Sequence, residues 1–168
     1  MRKLKLITLI IATLGFAKVS FSQNYNINFK IVPSFSLTNT TPLDFGGVVA
    51  SATAGTVVFN PSNSVRTATA GVTMPAGLSG SPSIAEFSVL GRKNKWYNIS
   101  FPQGQVTITK AGGGATMTVN SFTLNVPSSR KLNNQGTDMF KVGATLNVGA
   151  SQTPGVYTGT YTVTVTYQ

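Results

Sequence analysis

Hydrophobic and polar residues alternate along most of this chain, so that every second residue is apolar. In "AEFSVLG" the apolar Phe87 and Val89 are two positions apart, and "WYNISFP" repeats the pattern with Tyr97, Ile99 and Phe101. After residue 22, no window of 11 residues has the 3.6-residue period of an amphipathic helix. An alternation with a period of two predicts β-strands that bury one face.

Turn-forming segments separate these alternating runs. "PAGLSGSPS", "GRKNK", "AGGGA" and "SSRKLNNQG" contain glycine, proline, serine or asparagine, which favour turns. We count about nine or ten strands at intervals of 8 to 15 residues. This spacing predicts an all-β fold, an immunoglobulin-like two-sheet antiparallel sandwich, with a closed barrel as the alternative architecture.

The alternation changes register once, within "ATMTVNSFTLNV". Met117 and Val119 are at odd positions, whereas Phe122 and Leu124 are at even positions. A shift of one residue would turn the later side chains to the other face of the sheet. We therefore expect a bulge or corner near Asn120 and Ser121, which would restore the buried face.

The same pattern selects the residues of the core. On each strand the apolar positions share one face, which should pack against the opposite sheet. We expect the following residues to be largely buried: Phe45, Phe59, Phe87, Val89, Ile99, Phe101, Val119, Phe122, Phe140, Val142, Leu146, Tyr161, Val163 and Val165.

The last strand has the most regular alternation. In "VYTGTYTVTVTYQ" the odd positions from Tyr157 to Tyr167 are apolar or glycine, and the even positions from Thr158 to Thr166 are all threonine. An uncharged strand of this kind would aggregate if its edges stayed unpaired. We expect "FKVGATLNV" on one edge as a hairpin partner. On the other edge we expect either the N-terminal strand of this chain or the matching strand of another copy.

The first 22 residues have the organisation of a cleaved signal peptide. The basic start "MRKLK" precedes the apolar run "LITLIIATLGF", and small residues follow at Ser20 and Ser22. We expect export to the periplasm, the cell surface or the exterior of a Gram-negative bacterium. Residues 23–168 should form a single β-sandwich domain. No second apolar run of spanning length follows, so we expect no transmembrane segment in the mature chain.

The remaining composition argues against an enzyme. Four of the thirteen basic residues lie in the leader, which leaves nine against three acids, a net charge of +6. Histidine and cysteine are absent, so the usual general base, thiol nucleophile and zinc ligands are missing. The carboxylates Asp44, Glu86 and Asp138 are more than 40 residues apart along the chain. We therefore expect no catalytic residue, no metal site and no cofactor.

One cluster combines positive charge with aromatic surface. "GRKNKWY" places Arg92, Lys93 and Lys95 directly before Trp96. A solvated hairpin turn explains this composition, and so does a surface patch for an anionic glycan. The other basic residues are scattered, so we expect no nucleic-acid partner.

Three segments of the chain resemble a known family. They are the opening "LDFGGVVASATAGTVVFNPSNSVRTAT", the central "AEFSVLG" and the closing "VGATLNVGASQTPGVYTGTYTVTVTYQ". The closing segment has a Gly-x-Tyr-x-Gly and a final Val-Thr-Val-x-Tyr. These are features of small secreted bacterial domains of unknown function, the domain-of-unknown-function family forty-four-oh-two. The resemblance extends over nearly the whole mature chain.

This resemblance implies a function in assembly. The family is distantly similar to spore coat protein U-like domains and to subunits of archaic chaperone–usher pili. Those are immunoglobulin-like subunits that lack one strand, and a periplasmic chaperone, then the N-terminal strand of the next subunit, fills their groove. Pilins often have a tyrosine next to last and a glycine fourteen residues from the end, which here are Tyr167 and Gly155. Unlike many pilins, this chain has no cysteine for a disulfide.

The first function hypothesis is a structural subunit, pilin-like or of a surface coat, that assembles by β-strand addition. Its partners would be copies of itself or related subunits, and a periplasmic chaperone. The donor strand would be "NYNINFKIV", for which pairing within its own sheet is the alternative. The candidate donor residues are Tyr25, Ile27, Phe29 and Ile31. The candidate assembly residues on the terminal strand are Gly155, Tyr157, Tyr161, Val163, Val165 and Tyr167.

The alternative hypothesis is a stand-alone secreted adhesin or glycan-binding module. In that case the chain would close its own sandwich and function as a folded monomer. Its ligand surface would be the cluster of Arg92, Lys93, Lys95 and Trp96, and its ligand an anionic glycan.

Overall fold

All regular secondary structure is β-strand in the computed structural model, which describes residues 35–75, 77 and 80–168. The candidate donor residues Tyr25, Ile27, Phe29 and Ile31 lie outside the described residues. The described part of the chain contains thirteen strands: β1 (Ser36–Thr41), β2 (Val49–Ala50), β3 (Gly55–Asn60), β4 (Val65–Ala68), β5 (Val72–Thr73), β6 (Ala85–Leu90), β7 (Trp96–Ser100), β8 (Gln105–Lys110), β9 (Thr116–Leu124), β10 (Ser129–Lys131), β11 (Thr137–Val148), β12 (Tyr157–Thr158) and β13 (Thr164–Tyr167).

The largest sheet has eight strands, in the order β1-β6-β11-β9-β8-β12, with β3 also paired to β11 and β4 to β3. The central strand β11 has 12 residues and is long enough to have two neighbours on one edge. Its first half pairs with β6 and its second half with β3. Strand β9 takes the opposite edge. A three-stranded sheet, β10-β7-β13, and a two-stranded pair, β2-β5, complete the fold.

The three-stranded sheet packs on the large sheet through one apolar cluster, which we call the Phe140 cluster. Its buried members are Ala85, Phe87, Val89, Tyr97, Ile99, Leu132, Phe140 and Val142. Phe87 and Phe140 lie on neighbouring strands with ring centroids 5.3 Å apart in a stacked arrangement. Tyr97 and Ile99 approach them from β7 of the other sheet. The apolar faces of two antiparallel sheets thus enclose the core, which is the organisation of a β-sandwich.

A second cluster, the Leu146 cluster, continues this core under the other half of β11. Its buried members are Val57, Val72, Met117, Val119, Ala144, Leu146 and Val148. Leu43 and Phe122 pack against both clusters, so the two are joined. The predicted all-β antiparallel fold is therefore confirmed. The described strands outnumber the nine or ten predicted because the terminal segment divides into β12 and β13, because β4 and β5 are additional short strands, and because β10 forms within "SSRKLNNQG", which the sequence analysis wrongly assigned to a turn.

The predicted bulge at Asn120 and Ser121 is confirmed. Thr123 of β9 is opposite Gly143 of β11, and Asn120 is opposite Thr145. Two residues of β9 therefore face one residue of β11, and Ser121 adopts a positive φ of 50°. The extra residue turns Phe122 back towards the core, where it packs against both clusters.

The predicted hairpin between the terminal strand and β11 is wrong. Both edges of β11 are already occupied by β6, β3 and β9. The terminal segment instead divides in two. Strand β12 pairs with β8, where Tyr157 is opposite Lys110, and β13 pairs with β7 in the smaller sheet.

The expected core residues separate into two groups. Eight of them are buried: Phe59, Phe87, Val89, Ile99, Val119, Phe140, Val142 and Leu146. The other six are only half-buried: Phe45, Phe101, Phe122, Tyr161, Val163 and Val165. Their incomplete burial corrects the prediction, and most of this second group borders the terminal segment.

We predict that Phe140→Ala lowers the free energy of unfolding by about 3–5 kcal/mol, because the ring is fully enclosed and its removal leaves a cavity. Phe101→Ala should cost about half as much, since part of that ring is already in contact with solvent. Urea denaturation of both variants measures the difference. Equal costs at the two positions would contradict the partial exposure of the Phe101 ring.

Candidate functional site

Terminal strand β13 has one paired edge. Its residues pair with β7, from Thr164 opposite Ser100 to Tyr167 opposite Tyr97. Within the described ranges 35–75, 77 and 80–168, no strand pairs with its other edge. The described part of the fold therefore presents an unpaired row of backbone donors and acceptors on β13.

One hydrogen bond defines which backbone groups of β13 face this unpaired edge. The N–H of Gln168 donates to the Trp96 carbonyl oxygen of β7 at 3.1 Å. Backbone groups alternate in direction along an antiparallel strand. The N–H groups of Val165 and Tyr167 consequently point away from β7, although the Val165 side chain packs against the Phe140 cluster.

Strand β1 also has only one neighbour among the described strands, β6, and it begins on the side of the sandwich where β13 ends. Phe35, just before β1, stacks on Tyr167 with ring centroids 4.1 Å apart. Leu37 of β1 and Val163 and Val165 of the terminal segment all pack against the Phe140 cluster and stay half-buried. This side, which we call the open side, thus exposes part of the core between two edge strands.

Three stacked aromatic rings border the core where the terminal segment crosses between the sheets. Tyr161 stacks on Phe122 at 5.2 Å between ring centroids, and Phe122 stacks on Phe101 at 5.5 Å. Tyr161 also meets the edge of Phe87 at 6.5 Å. Burial raises the pKa of Tyr161 to about 12, so its hydroxyl stays neutral at physiological pH.

Tyr167 holds the end of β13 in place. Its hydroxyl oxygen accepts a hydrogen bond from the Arg92 N–H at 2.6 Å, and its ring stacks on Phe35. The next-to-last residue therefore connects the terminal strand to the β6–β7 turn and to the residue that leads into β1.

The other candidates on the terminal segment, Tyr157 and Gly155, stabilise the loop before β12. The Tyr157 hydroxyl donates to the Thr153 carbonyl oxygen at 2.6 Å and accepts from Gln152 Nε2 at 2.8 Å. Gly155 lies against Lys110, whose Cε would be 2.6 Å from an added Cβ. These two residues lie apart from the open side, so the structure does not bring all six candidates together.

A polar network that the sequence analysis missed connects the two sheets. Asp138 of β11 accepts from Arg130 Nη2 at 2.7 Å, from Arg130 Nε at 2.9 Å and from the Tyr97 hydroxyl at 2.9 Å. Asp138 has the same parity along β11 as the buried Phe140, so its side chain points inward. A carboxylate that points into the core needs a hydrogen-bonding or charged partner. The inward position of Asp138 in the alternating pattern was therefore the signal in the sequence for such a network.

Burial and hydrogen bonding act in opposite directions on the pKa of Asp138 in this network. Burial raises the pKa of Asp138, but hydrogen bonds from Arg130, the Met139 N–H and Tyr97 outweigh it and lower the pKa below its usual value. Burial and the Asp138 carboxylate raise the pKa of Tyr97 well above its usual value. Asp138 is therefore ionised and Tyr97 is neutral in the folded protein near pH 7.

The predicted basic and aromatic cluster lies at the start of β7. Arg92, Lys93 and Lys95 belong to the turn between β6 and β7, and Trp96 begins the strand with half of its surface exposed. The pairing of β10 with β7 places Lys131 directly opposite Trp96. Sequence reasoning missed Lys131 because it is distant from the cluster along the chain.

Other kinds of site have less support. In the described part of the chain, no three His, Cys, Asp or Glu side chains lie close enough together to hold a metal ion. The same residues contain no helix that is long and apolar enough to cross a membrane.

Comparison with known proteins identifies one family. Residues 35–167 match the family described as "Domain of unknown function (DUF4402)". No curated protein and no solved structure matches the chain. The match covers all of the described strands.

We predict that Asp138→Asn lowers the free energy of unfolding by about 3 kcal/mol at pH 7, because it leaves the partly buried Arg130 without its anion. The matched control is Glu86→Gln, which breaks the more exposed Lys141–Glu86 pair and should cost less than about 1 kcal/mol. Urea denaturation at pH 7 measures both. Equal losses in the two variants would mean that the network stabilises the fold no more than the exposed ion pair does, which would contradict this prediction.

The same network predicts a dependence on pH. The folded-state pKa of Asp138 is lowered, so its stabilisation is present above the unfolded-state pKa of about 4 and is lost as the pH falls through the folded-state pKa. The wild-type protein should therefore lose stability below about pH 4, and Asp138→Asn should lose less over that range. Parallel pH profiles of the two proteins would contradict this assignment.

Proposed function

The chain belongs to the DUF4402 family of domains of unknown function, and we propose that it is an exported, non-enzymatic structural subunit that assembles by β-strand addition. It would form a pilus-like fibre or a surface coat with copies of itself or related subunits. The observation that carries this proposal is the edge of β13 that no described strand pairs with, beside the half-buried side chains of the open side. Such an edge offers backbone hydrogen bonds, and the adjacent apolar side chains offer pockets for alternate residues of an added strand.

The chain contains a segment with the matching pattern. "NYNINFKIV" has apolar Tyr25, Ile27, Phe29 and Ile31 alternating with polar residues. Added beside β13 of a neighbouring copy, the apolar side chains would cover the half-buried Val163 and Val165, and the backbone would satisfy the N–H groups of β13. Alternation with a period of two is what an edge strand with one buried face requires.

The same surface explains why a periplasmic chaperone would be a partner. Before assembly, an uncharged edge next to apolar side chains is prone to pair with other unfolded or partly folded chains. A chaperone that occupies the β13 edge would prevent this pairing until another subunit replaces it. As part of this proposal, the sandwich is immunoglobulin-like and related to that of pilin subunits.

The experiment compares two substitutions at Val165, whose N–H faces the unpaired edge. Val165→Ala and Val165→Pro both remove the half-buried side chain, but only proline removes the N–H. The processed protein is purified from cells that express the full chain and is studied by sedimentation velocity and electron microscopy. We expect oligomers or fibres from the wild type and from Val165→Ala, and their loss in Val165→Pro with an unchanged circular dichroism spectrum. Wild-type protein that stays monomeric at high concentration, or equal assembly by both variants, would overturn the proposal.

A deletion tests the donor segment separately. Removal of residues 23–32 should abolish assembly, and the shortened protein should bind added "NYNINFKIV" peptide. A peptide with Ile27 and Phe29 replaced by Asp is the matched control and should not bind. A strand that pairs within its own chain gives a different result, because the full-length protein then stays monomeric at every concentration.

A further inference from the structure

The smaller sheet has an outer face that is polar except for one tryptophan. On this face Trp96 lies between Lys131 of β10 and Gln168, which follows β13. One step along the strands, Asn98 lies between Ser129 and Thr166. Along one strand the side chains alternate between faces, so these residues face away from the core while Tyr97 and Ile99 face into it. We call this surface the Trp96 face.

Hydrogen bonds across three strands order the polar side chains of this face. Gln168 Nε2 donates to Asn98 Oδ1 at 2.5 Å and to Ser129 Oγ at 2.8 Å. The side-chain amide of Gln168 thus connects the end of the chain to Asn98 of β7 and to Ser129 of β10, close to Trp96. Donors and acceptors that are held in this way lose little conformational entropy when they bind a ligand.

The charged side chains that the sequence and the strand pairing place next to Trp96 are basic. Of the acidic side chains, Asp138 pairs with Arg130, and Glu86 pairs with Lys141 on the larger sheet. Asp44 accepts a hydrogen bond from the Gly46 N–H within its own loop. Among the described residues no Asp or Glu forms an ion pair with the cations near Trp96, which are Arg92, Lys93, Lys95 and Lys131.

We propose that the Trp96 face binds an anionic polysaccharide. Trp96 is half-exposed, so its indole can stack on the apolar face of a sugar ring. Asn98, Ser129 and Gln168 can exchange hydrogen bonds with sugar hydroxyl groups, and Lys131 can pair with a carboxylate or sulfate. Three strands, and the five residues of β7, span roughly 10 Å by 14 Å. That area accommodates a short oligosaccharide, and the site does not depend on the unpaired edge of β13.

The single tryptophan of the chain provides a direct readout. The processed protein is titrated with oligogalacturonate and with heparin oligosaccharides of defined length, and with neutral dextran of equal length. We expect a saturable change of Trp96 fluorescence with at least one of the two acidic series, weaker at high salt, and none with dextran. Failure of both acidic series to change the fluorescence, or an equal response to dextran, would overturn the proposal.

Calorimetric titrations of variants locate the site. Trp96→Ala and Lys131→Ala should each weaken the affinity by about tenfold, the effect of losing one well-placed contact. Lys110→Ala removes one charge from β8 of the larger sheet, and Met139→Ala removes a side chain that is 60% exposed on β11. Both controls should bind as the wild type does. Equal weakening by Lys110→Ala and Lys131→Ala would mean non-specific attraction by net charge and would overturn the proposal.

Three further titrations test whether the site prefers a polysaccharide to other anions and whether binding is independent of assembly. Phosphatidylglycerol vesicles and single-stranded DNA carry dense negative charge without sugar hydroxyl groups arranged for the Trp96 face. Tighter binding of either than of the acidic oligosaccharides would overturn the assignment to a polysaccharide. Val165→Pro should bind the oligosaccharide with wild-type affinity. A variant that does not assemble can therefore still bind, so failure of the assembly proposal and failure of the binding proposal give different results.

Discussion

The rest of the structure depends on the pairing of β11. Its 12 residues contribute Phe140 and Val142 to one apolar cluster and Leu146 and Val148 to the other. Both of its edges are occupied, by β6 and β3 on one side and by β9 on the other. Because no edge of β11 remains for another strand, the terminal segment has to pair elsewhere. It crosses from β8 of the larger sheet to β7 of the smaller sheet.

This crossing places the last strand at the edge of the smaller sheet. The open side then combines a backbone edge that no described strand pairs with and half-buried apolar side chains, and an edge of this kind is a template for pairing with another strand. The stacking of Phe35 on Tyr167 brings the residue that precedes β1 to the same place. The β13 edge that no described strand covers, next to half-buried apolar side chains, is the basis of the proposed assembly.

The two faces of β7 have different chemistry because side chains alternate along a strand. The inward face contributes Tyr97, which binds Asp138 and with Arg130 connects the two sheets. The outward face contributes Trp96 and Asn98, which lie among lysine, serine and glutamine side chains of the neighbouring strands. The inward network positions the smaller sheet, and with it the edge of β13 and the Trp96 face. Loss of the network would therefore affect both proposed surfaces indirectly.

By itself, the sequence determined most of the strands, the face that each of them turns inward, the bulge at Ser121 and the lack of histidine and cysteine side chains. These properties follow from local alternation, since a side chain two residues away lies on the same face whatever the strand pairs with. Only the tertiary structure decided that β13 pairs with β7, that Lys131 lies opposite Trp96 and that Arg130 reaches Asp138. Strand pairing is made by backbone hydrogen bonds, which every residue type except proline can form, so local sequence does not specify the partner. The choice is made by which edges the other strands leave unoccupied.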